Sequence, residues 1–315
     1  MGATEEPKRE QVLQVLDQQH HASRTRVRYR VLRHPLRFGY PTPSRLRAWK
    51  QRGVSVQAEA CTPWGQRLVV TLPDDVSVCL RWNGYFEYEL SAFYLRFLRP
   101  GMTFFDVGAH VGYFSMLASY AVGPTGRIVA FEPTPSTYKV LQMNARARCN
   151  VTPTNTAVWS EPSMINLRDF GPGFSAYNSA FDPRLPDSIK ARLEERTHQV
   201  PAVTLDDYAS EHGLVPDVVK IDVESAELHV LRGMQQMLSG PRPIVSLEVG
   251  DLGVSGAPRS RHLLEAVLSF DYQAFELRDG GVVPHQPRDD YSYDNIVFAP
   301  AERDGELCRG GNASP

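Results

Sequence analysis

The stretch FFDVGAHVGYFS, residues 104–115, joins an apolar run to one acid, two glycines and the start of a second apolar run. That order predicts a buried strand, a tight turn and a helix. A dinucleotide fingerprint at such a turn needs G-x-G-x-x-G. Here Gly108 supplies the first glycine, but His110 and Tyr113 occupy the other two places. The nicotinamide reading therefore fails at two positions of three. What remains is Asp106 two residues before Gly108, and Gly112 four residues after it. Pyrophosphate at a helix N-terminus wants bare backbone N–H groups. An acid at the strand end suits a ligand with a cation instead. S-adenosylmethionine carries an ammonium and a sulfonium, and Gly108 and Gly112 permit close backbone approach. A second acid, Glu132, falls at the tip of the next strand, where a carboxylate can accept both ribose hydroxyls. The competing reading makes both acids helix caps at strand ends.

Outward from this turn the chain alternates. RIVAFEP (127–133) reads as a second strand closed by Pro133, followed by a helix through Arg148, and TNTAVWS (154–160) as a third strand. After a Gly/Pro-rich interlude come DVVKIDV (217–223), a helix over 225–238, PIVSLEV (243–249), a helix over 260–270 and a terminal hairpin. This pattern predicts an α/β fold: a mostly parallel sheet, helices on both faces and an antiparallel edge strand. The interlude, 170–196, reads as a lid-like or acceptor-binding insertion ending in a charged helix, within 170–200. Before the sheet, residues 54–100 read as a small β-hairpin and helix subdomain, with strands at RLVVTLP (67–73) and VSVCLRW (76–82) and a helix over 86–98. Residues 1–53 form a basic helical arm, 101–300 the main domain, and 301–315 a disordered tail.

The 315 residues carry a net charge of −2, which hides an asymmetry. Residues 1–53 hold 12 Lys/Arg against 4 Asp/Glu, and the remainder holds 22 against 32. The dense part of the arm, residues 24–38, is expected to pack loosely on the acidic body, with residues 24–52 an alternative contact for an anionic membrane or acidic surface. The arm also offers a homodimer contact. No nucleic-acid motif accompanies the basic residues. Cys61, Cys79, Cys149 and Cys308 lack metal or CxxC spacing, and no apolar run approaches membrane length, so the chain reads as cytoplasmic.

GYFEYE (84–89), RPGMTFFDVGAHVGYFS (99–115), GRIVAFEPTP (126–135), TLDDY (204–208), DVVKIDVESAELHVLRGM (217–234) and IVSLEVG (244–250) recur in one known order and spacing. Together they resemble the FkbM-type S-adenosylmethionine-dependent methyltransferases. The resemblance implies the class I methyltransferase fold, a Rossmann-like sheet. It also implies methyl transfer to a hydroxyl of a sugar, glycolipid, macrolide or related natural product. Two departures stand out: His110 where Asn is commoner, and Ser225 where DVEGAE has Gly.

Transfer from a sulfonium to an alcohol requires proximity, alignment and removal of the hydroxyl proton. The fourth strand supplies Lys220 and Asp222, which point to one side because strand side chains repeat every second residue. Their pairing would keep Asp222 ionised as a base. Glu248 ends the fifth strand. Asp222, Lys220 and Glu248 are thus the catalytic candidates. In the alternative, Asp222 and Glu248 hold a Mg²⁺ ion. Cofactor contacts are expected from Asp106, Gly108, Ala109, His110, Gly112 and Glu132, from Ala157 and Val158 as an adenine slot, and from Glu87 ahead of the sheet. An N-methyltransferase, needing no strong base, and an interaction module with decayed catalysis are the remaining alternatives.

Overall fold

The computed structural model describes residues 6–24, 43–181, 195–251, 258–278 and 280–309. Helices α1 (Glu6–Arg24) and α2 (Pro43–Gln51) precede a hairpin of β1 (Val56–Cys61) and β2 (Arg67–Leu72), then α3 (Asp75–Asn83) and α4 (Tyr88–Phe97). The sheet region begins with β3 (Thr103–Val107), α5 (Tyr113–Val122), β4 (Arg127–Phe131), α6 (Pro135–Ala145) and β5 (Val151–Thr154). Next come β6 (Ala157–Val158), β7 (Ser163–Asp169), β8 (Arg196–Val203), α7 (Leu205–His212), β9 (Val218–Ile221), α8 (Glu227–Arg232) and α9 (Gln235–Ser239). The chain closes through β10 (Ile244–Val249), α10 (Ser260–Leu268), β11 (Tyr272–Arg278), β12 (Gly281–Pro284), β13 (Asp294–Pro300) and α11 (Asp304–Arg309).

The main sheet runs β12-β11-β13-β10-β9-β3-β4-β5. Strands β10, β9, β3, β4 and β5 are mutually parallel. β13 lies antiparallel between β10 and β11, and β12 is the antiparallel edge. This is the class I methyltransferase arrangement that the motifs implied. The chain winds outward from β3 to β5, then returns to build β9 and β10 on the other side. The strand order thus reverses between β3 and β9, where open α/β sheets collect ligands.

Both sheet faces are covered, because adjacent strand residues serve opposite cores. Phe104, Val218 and Ile244 join one apolar cluster; Phe105, Val219 and Val245 join the other. The first cluster takes α4 and α5, the second α7 to α10. A fully buried phenylalanine contributes about 1.5–3 kcal/mol, so these alternating runs fix the strand register.

Several local expectations change. VSVCLRW is not a strand but lies within α3: Asp74 accepts from the Ser77 N–H at 2.9 Å, and Gly84 closes the helix in the left-handed region. These caps override a β-like alternation. The third strand of the main sheet is Val151–Thr154, whereas Ala157–Val158 pairs with β8 in a three-stranded sheet ordered β6-β8-β7. The helix expected over 225–238 is broken at Gly233, where a Cβ would stand 2.1 Å from the Trp159 carbonyl oxygen. The insertion is flanked by β7 and β8 as antiparallel partners, and its charged helix lies outside the described residues.

Helix α1, at the start of the N-terminal arm, packs into the core. Leu16 is fully buried, and the Arg9 guanidinium donates to the carbonyls of Leu98 and Ala121 at 2.7 and 2.8 Å. The hairpin and α4 share a cluster with β3 and α5, so the extension completes one face of the core. Most of the basic run lies outside the described residues. Residues 301–309 of the expected disordered tail are helical, and Leu307 is buried. Among the described residues no helix is long and apolar enough to cross a membrane.

Candidate active site

The turn after β3 is sewn to the tip of β4. Gly108 and Ala109 donate to the Phe131 carbonyl at 3.1 and 2.9 Å. The Glu132 carboxylate accepts from the backbone N–H of His110 at 3.0 Å and of Thr134 at 2.9 Å. His110 sits at φ 50, a conformation that His and Asn adopt more readily than most residues, and this accounts for the Asn/His exchange at that place. Burial raises the Glu132 pKa, opposed by His110 and the two N–H donors.

Both glycines are required by the protein's own packing. Gly108 lies at φ 82, and a Cβ there would fall 1.7 Å from the Asp222 carbonyl oxygen. At Gly112, φ 88, it would fall 2.5 Å from Leu141 Cδ1. Gly108 therefore lets the tips of β3 and β9 close together, and Gly112 lets α5 start against α6. Gly108 lines the cavity described below, whereas Gly112, expected to permit close approach of the ligand, does not.

A cavity of about 460 Å³ opens at these strand ends, within the ~300–1,000 Å³ typical of small-molecule sites. Gly108, His110, Glu132, Asp222 and Glu248 line it from the sheet side. Ala157 and Val158, both buried, add an apolar wall. Trp159 also lines it and stacks on His229, with ring centroids 3.8 Å apart. The cavity fits an adenosine-linked amino acid. Glu132 has a second lone pair on each oxygen to offer hydroxyls, and the Ala157–Val158 wall is apolar where a base would lie.

Beneath it lies a buried charge cluster. Lys220 Nζ donates to Asp222 Oδ2 at 2.9 Å, stands 3.7 Å from Asp106 Oδ1 and lies 5.1 Å over the Phe114 ring. Burial opposes the charge on Lys220, but Asp222, Asp106 and Glu87 outweigh it and hold the ammonium above its ordinary range. Burial likewise works against ionised Asp222, yet Lys220 and a hydrogen bond from Glu248 hold its carboxyl below the usual range. Glu248 goes the other way: burial, then Asp222 and Glu224, push it well up. The two carboxyls are thus pushed apart, Asp222 toward its ionised form and Glu248 toward its protonated form, as like charges at one site favour.

Asp106 belongs to this cluster and not to the cavity wall. It is fully buried, and Ser115 donates to its Oδ2 at 2.5 Å. It acts on Lys220, which corrects its expected contact with a ligand cation. Ala109 and Lys220 are likewise buried behind the wall rather than lining it. Glu87 occupies a left-handed position, φ 40, ahead of α4, and Tyr293 donates to its Oε1. Its Oε2 is buried without a hydrogen-bond partner, as is Glu248 Oε2. Burial, followed by Asp222, raises its pKa.

The insertion expected to be lid-like supplies an outer wall, and the sequence reading missed its partners Asp74, Asp75 and Tyr293. Ser175 Oγ donates to Asp74 Oδ2 at 2.9 Å and lies 3.1 Å from His110 Nε2; the Ala176 N–H reaches the same Asp74 oxygen at 3.3 Å. Asn178 donates to Thr134 at 3.4 Å, and Tyr177 to Asp75 at 3.3 Å. The first half of the insertion thus clasps the N-terminal extension to the β3 and β4 turns. Tyr293, between β12 and β13, completes the wall. The signal for Asp74 was its place one residue after Pro73, as an N-cap. Tyr293 gave no local signal.

A family model described as the methyltransferase FkbM domain matches residues 106–274. The chain is 31% identical over 160 residues to the 31-O-demethyl-FK506 methyltransferase FkbM of Streptomyces tacrolimicus, covering 44% of this chain and 61% of that protein. It is 28% identical over 146 residues to Methyltransferase 1 of Beauveria bassiana, covering 41% and 57%. The chain thus spans about 60% of the length of these curated relatives. Among solved structures, methyltransferase FkbM from Methylobacillus flagellatus is similar at 16% identity and a TM-score of 0.42, covering 72% of this chain and 55% of that one.

Proposed function

The chain belongs to the FkbM family of S-adenosylmethionine-dependent methyltransferases, and on that premise we propose that it methylates a hydroxyl oxygen of a sugar, glycolipid or macrolide-like natural product. S-adenosylmethionine, when bound, supplies an electrophilic methyl group on a sulfonium. Glu132 is the acceptor for the ribose hydroxyls, and Ala157 with Val158 forms the base slot. Asp222 takes the proton from the acceptor hydroxyl as that oxygen becomes nucleophilic. Lys220 keeps Asp222 ionised, and Asp106 holds Lys220 in turn. Glu248, protonated, donates to Asp222 and fixes its rotamer.

The observation that carries this reading is the 2.9 Å pair of a buried lysine with a carboxylate on the cavity wall. An N-methyltransferase needs lone-pair access and no such base. The test is Asp222→Asn assayed on hydroxylated acceptors. The proposal expects turnover to fall by about 10²–10⁴ with cofactor affinity kept, and near-normal turnover overturns the oxygen assignment.

Asp222, Glu224 and Glu248 each offer an oxygen within 4.8 Å of the others, enough for a divalent cation. The Lys220 ammonium already on Asp222 favours the metal-free reading. Exhaustive chelation is expected to leave the rate unchanged, and restoration by Mg²⁺ after a loss would favour the ion.

A further inference from the structure

Residues 171–178 make a loop whose two ends are tied together. Arg168 and Ser179 exchange backbone hydrogen bonds at 2.9 and 3.2 Å, and the Phe170 N–H donates to Asn178 Oδ1 at 2.9 Å. Asp169 and Phe170 are buried at one end, and Ser179 at the other, where its hydroxyl donates to the Glu224 carbonyl at 2.6 Å. Between these ends each of residues 171–178 stays half-buried. The span is also held to itself. The Phe174 N–H donates to the Gly171 carbonyl at 3.0 Å, and the Tyr177 N–H to the Phe174 carbonyl at 2.9 Å. Fixed ends with a self-contained span between them are the build of an Ω-loop.

The tip, Ser175–Tyr177, is latched by hydrogen bonds. Ser175 Oγ and the Ala176 N–H both donate to Asp74 Oδ2, Tyr177 donates to Asp75, and Ser175 Oγ lies 3.1 Å from His110 Nε2. Asp74 divides its carboxylate between two tasks. Its Oδ1 caps α3 by accepting from the Ser77 N–H, while Oδ2 receives the loop. The cap therefore survives when the loop leaves. A segment with no fully buried side chain, latched by polar contacts that water can replace, opens at low cost. Ser175, Ala176, Tyr177 and Asn178 line the same cavity as Glu132, Ala157 and Asp222.

Resting on the methyltransferase reading, we propose that residues 171–178 are a flap that unlatches from Asp74 to admit the methyl donor and to release its demethylated product. A latch that touches the flap and not the ligand acts on entry and exit alike. Weakening it raises the open fraction of the free and of the loaded protein by one factor. Both rates then rise, and their ratio, Kd, is kept.

The test is stopped-flow binding of S-adenosylhomocysteine to the full chain, followed by the fluorescence of Trp159 in the cavity wall. Asp74→Asn keeps an oxygen for the Ser77 N–H and turns an amide N–H₂ toward the two donors of the flap. Association and dissociation are both expected to quicken about tenfold, as loss of a charge-assisted hydrogen bond implies, with Kd kept within about twofold. Ser175→Ala should move both rates the same way, and it decides alone if the first variant fails to fold. Unchanged rates overturn the inference. So does faster dissociation alone with Kd weakened to match, which would make Asp74 part of the binding site. Absent binding in the parent protein sinks the methyltransferase reading. Hydrogen exchange in the ligand-free chain judges the latch apart from it. There Asp74→Asn should speed exchange over residues 171–178 about tenfold and leave β7 and β8 as they were, and equal exchange in parent and variant refutes the latch.

Discussion

At the scale of single residues, Asp222 and Glu248 are one chemical species in two environments. Asp222 touches a buried ammonium, which favours its ionised form; Glu248, one strand over, is buried beside carboxylates, which favour its protonated form. For Asp222 the folded pKa is depressed, so the base is ready throughout neutral pH. The acid limb of kcat is therefore expected below the ordinary carboxylate range, and a limb near neutrality would assign the base to another group. For Glu248 the folded pKa is raised, so folding retains a proton. The stability this contributes is fully present below the ordinary carboxylate pKa and is lost as pH rises through the raised value. Glu248→Gln keeps the shape and removes the titration. Thermal unfolding from weakly acid to alkaline pH should show a decline in the parent protein that the variant lacks, and parallel profiles would refute the assignment.

At the scale of elements, the strand tips matter more than the strands. Gly108 brings β3 against β9, so Gly108→Ala forces a Cβ into the Asp222 carbonyl and into left-handed backbone. The expected cost is about 3 kcal/mol, visible as a lower Tm together with weakened nucleoside binding. Ser225 is buried at φ 78 just after Glu224 at φ 49. Ser225→Gly should relieve about 1 kcal/mol, raising Tm by roughly 2 °C, and an unchanged or lower Tm would show that the hydroxyl's contacts outweigh the strain.

The same scale explains what was legible beforehand. Parallel strands bury both faces, so TFFDV, RIVAF and VVKI announce themselves as continuous apolar runs, and their tips locate Glu132, Asp222 and Glu248. Lys220 paired with Asp222 follows from the period of two. VSVCLRW misleads because alternation over a few residues is weaker than two well-formed caps. Asp106 misleads differently. Its position at a strand end was readable, but the direction of its carboxyl depends on Lys220, more than a hundred residues away. Tyr293 and the Asp74–Ser175 clasp arise only from tertiary contact.

At the scale of the whole molecule, the N-terminal extension is part of the fold that holds the site. Val12 and Leu16 enter the cluster shared by α4, β3 and α5, and Arg9 closes carbonyls at the ends of two elements. Removing residues 1–24 should cost about 3 kcal/mol from the two apolar side chains alone, read in denaturant unfolding; unaltered stability would make the helix an appendage.

The central claim is that the cavity between the β3, β4 and β9 tips holds the methyl donor through Glu132. Calorimetric titration of the full chain with S-adenosylhomocysteine tests it most directly. One saturable site is predicted, weakened about tenfold or more by Glu132→Ala, as loss of a charge-assisted hydrogen-bonding pair implies. Heat that is absent, or unaffected by that substitution, would contradict the account.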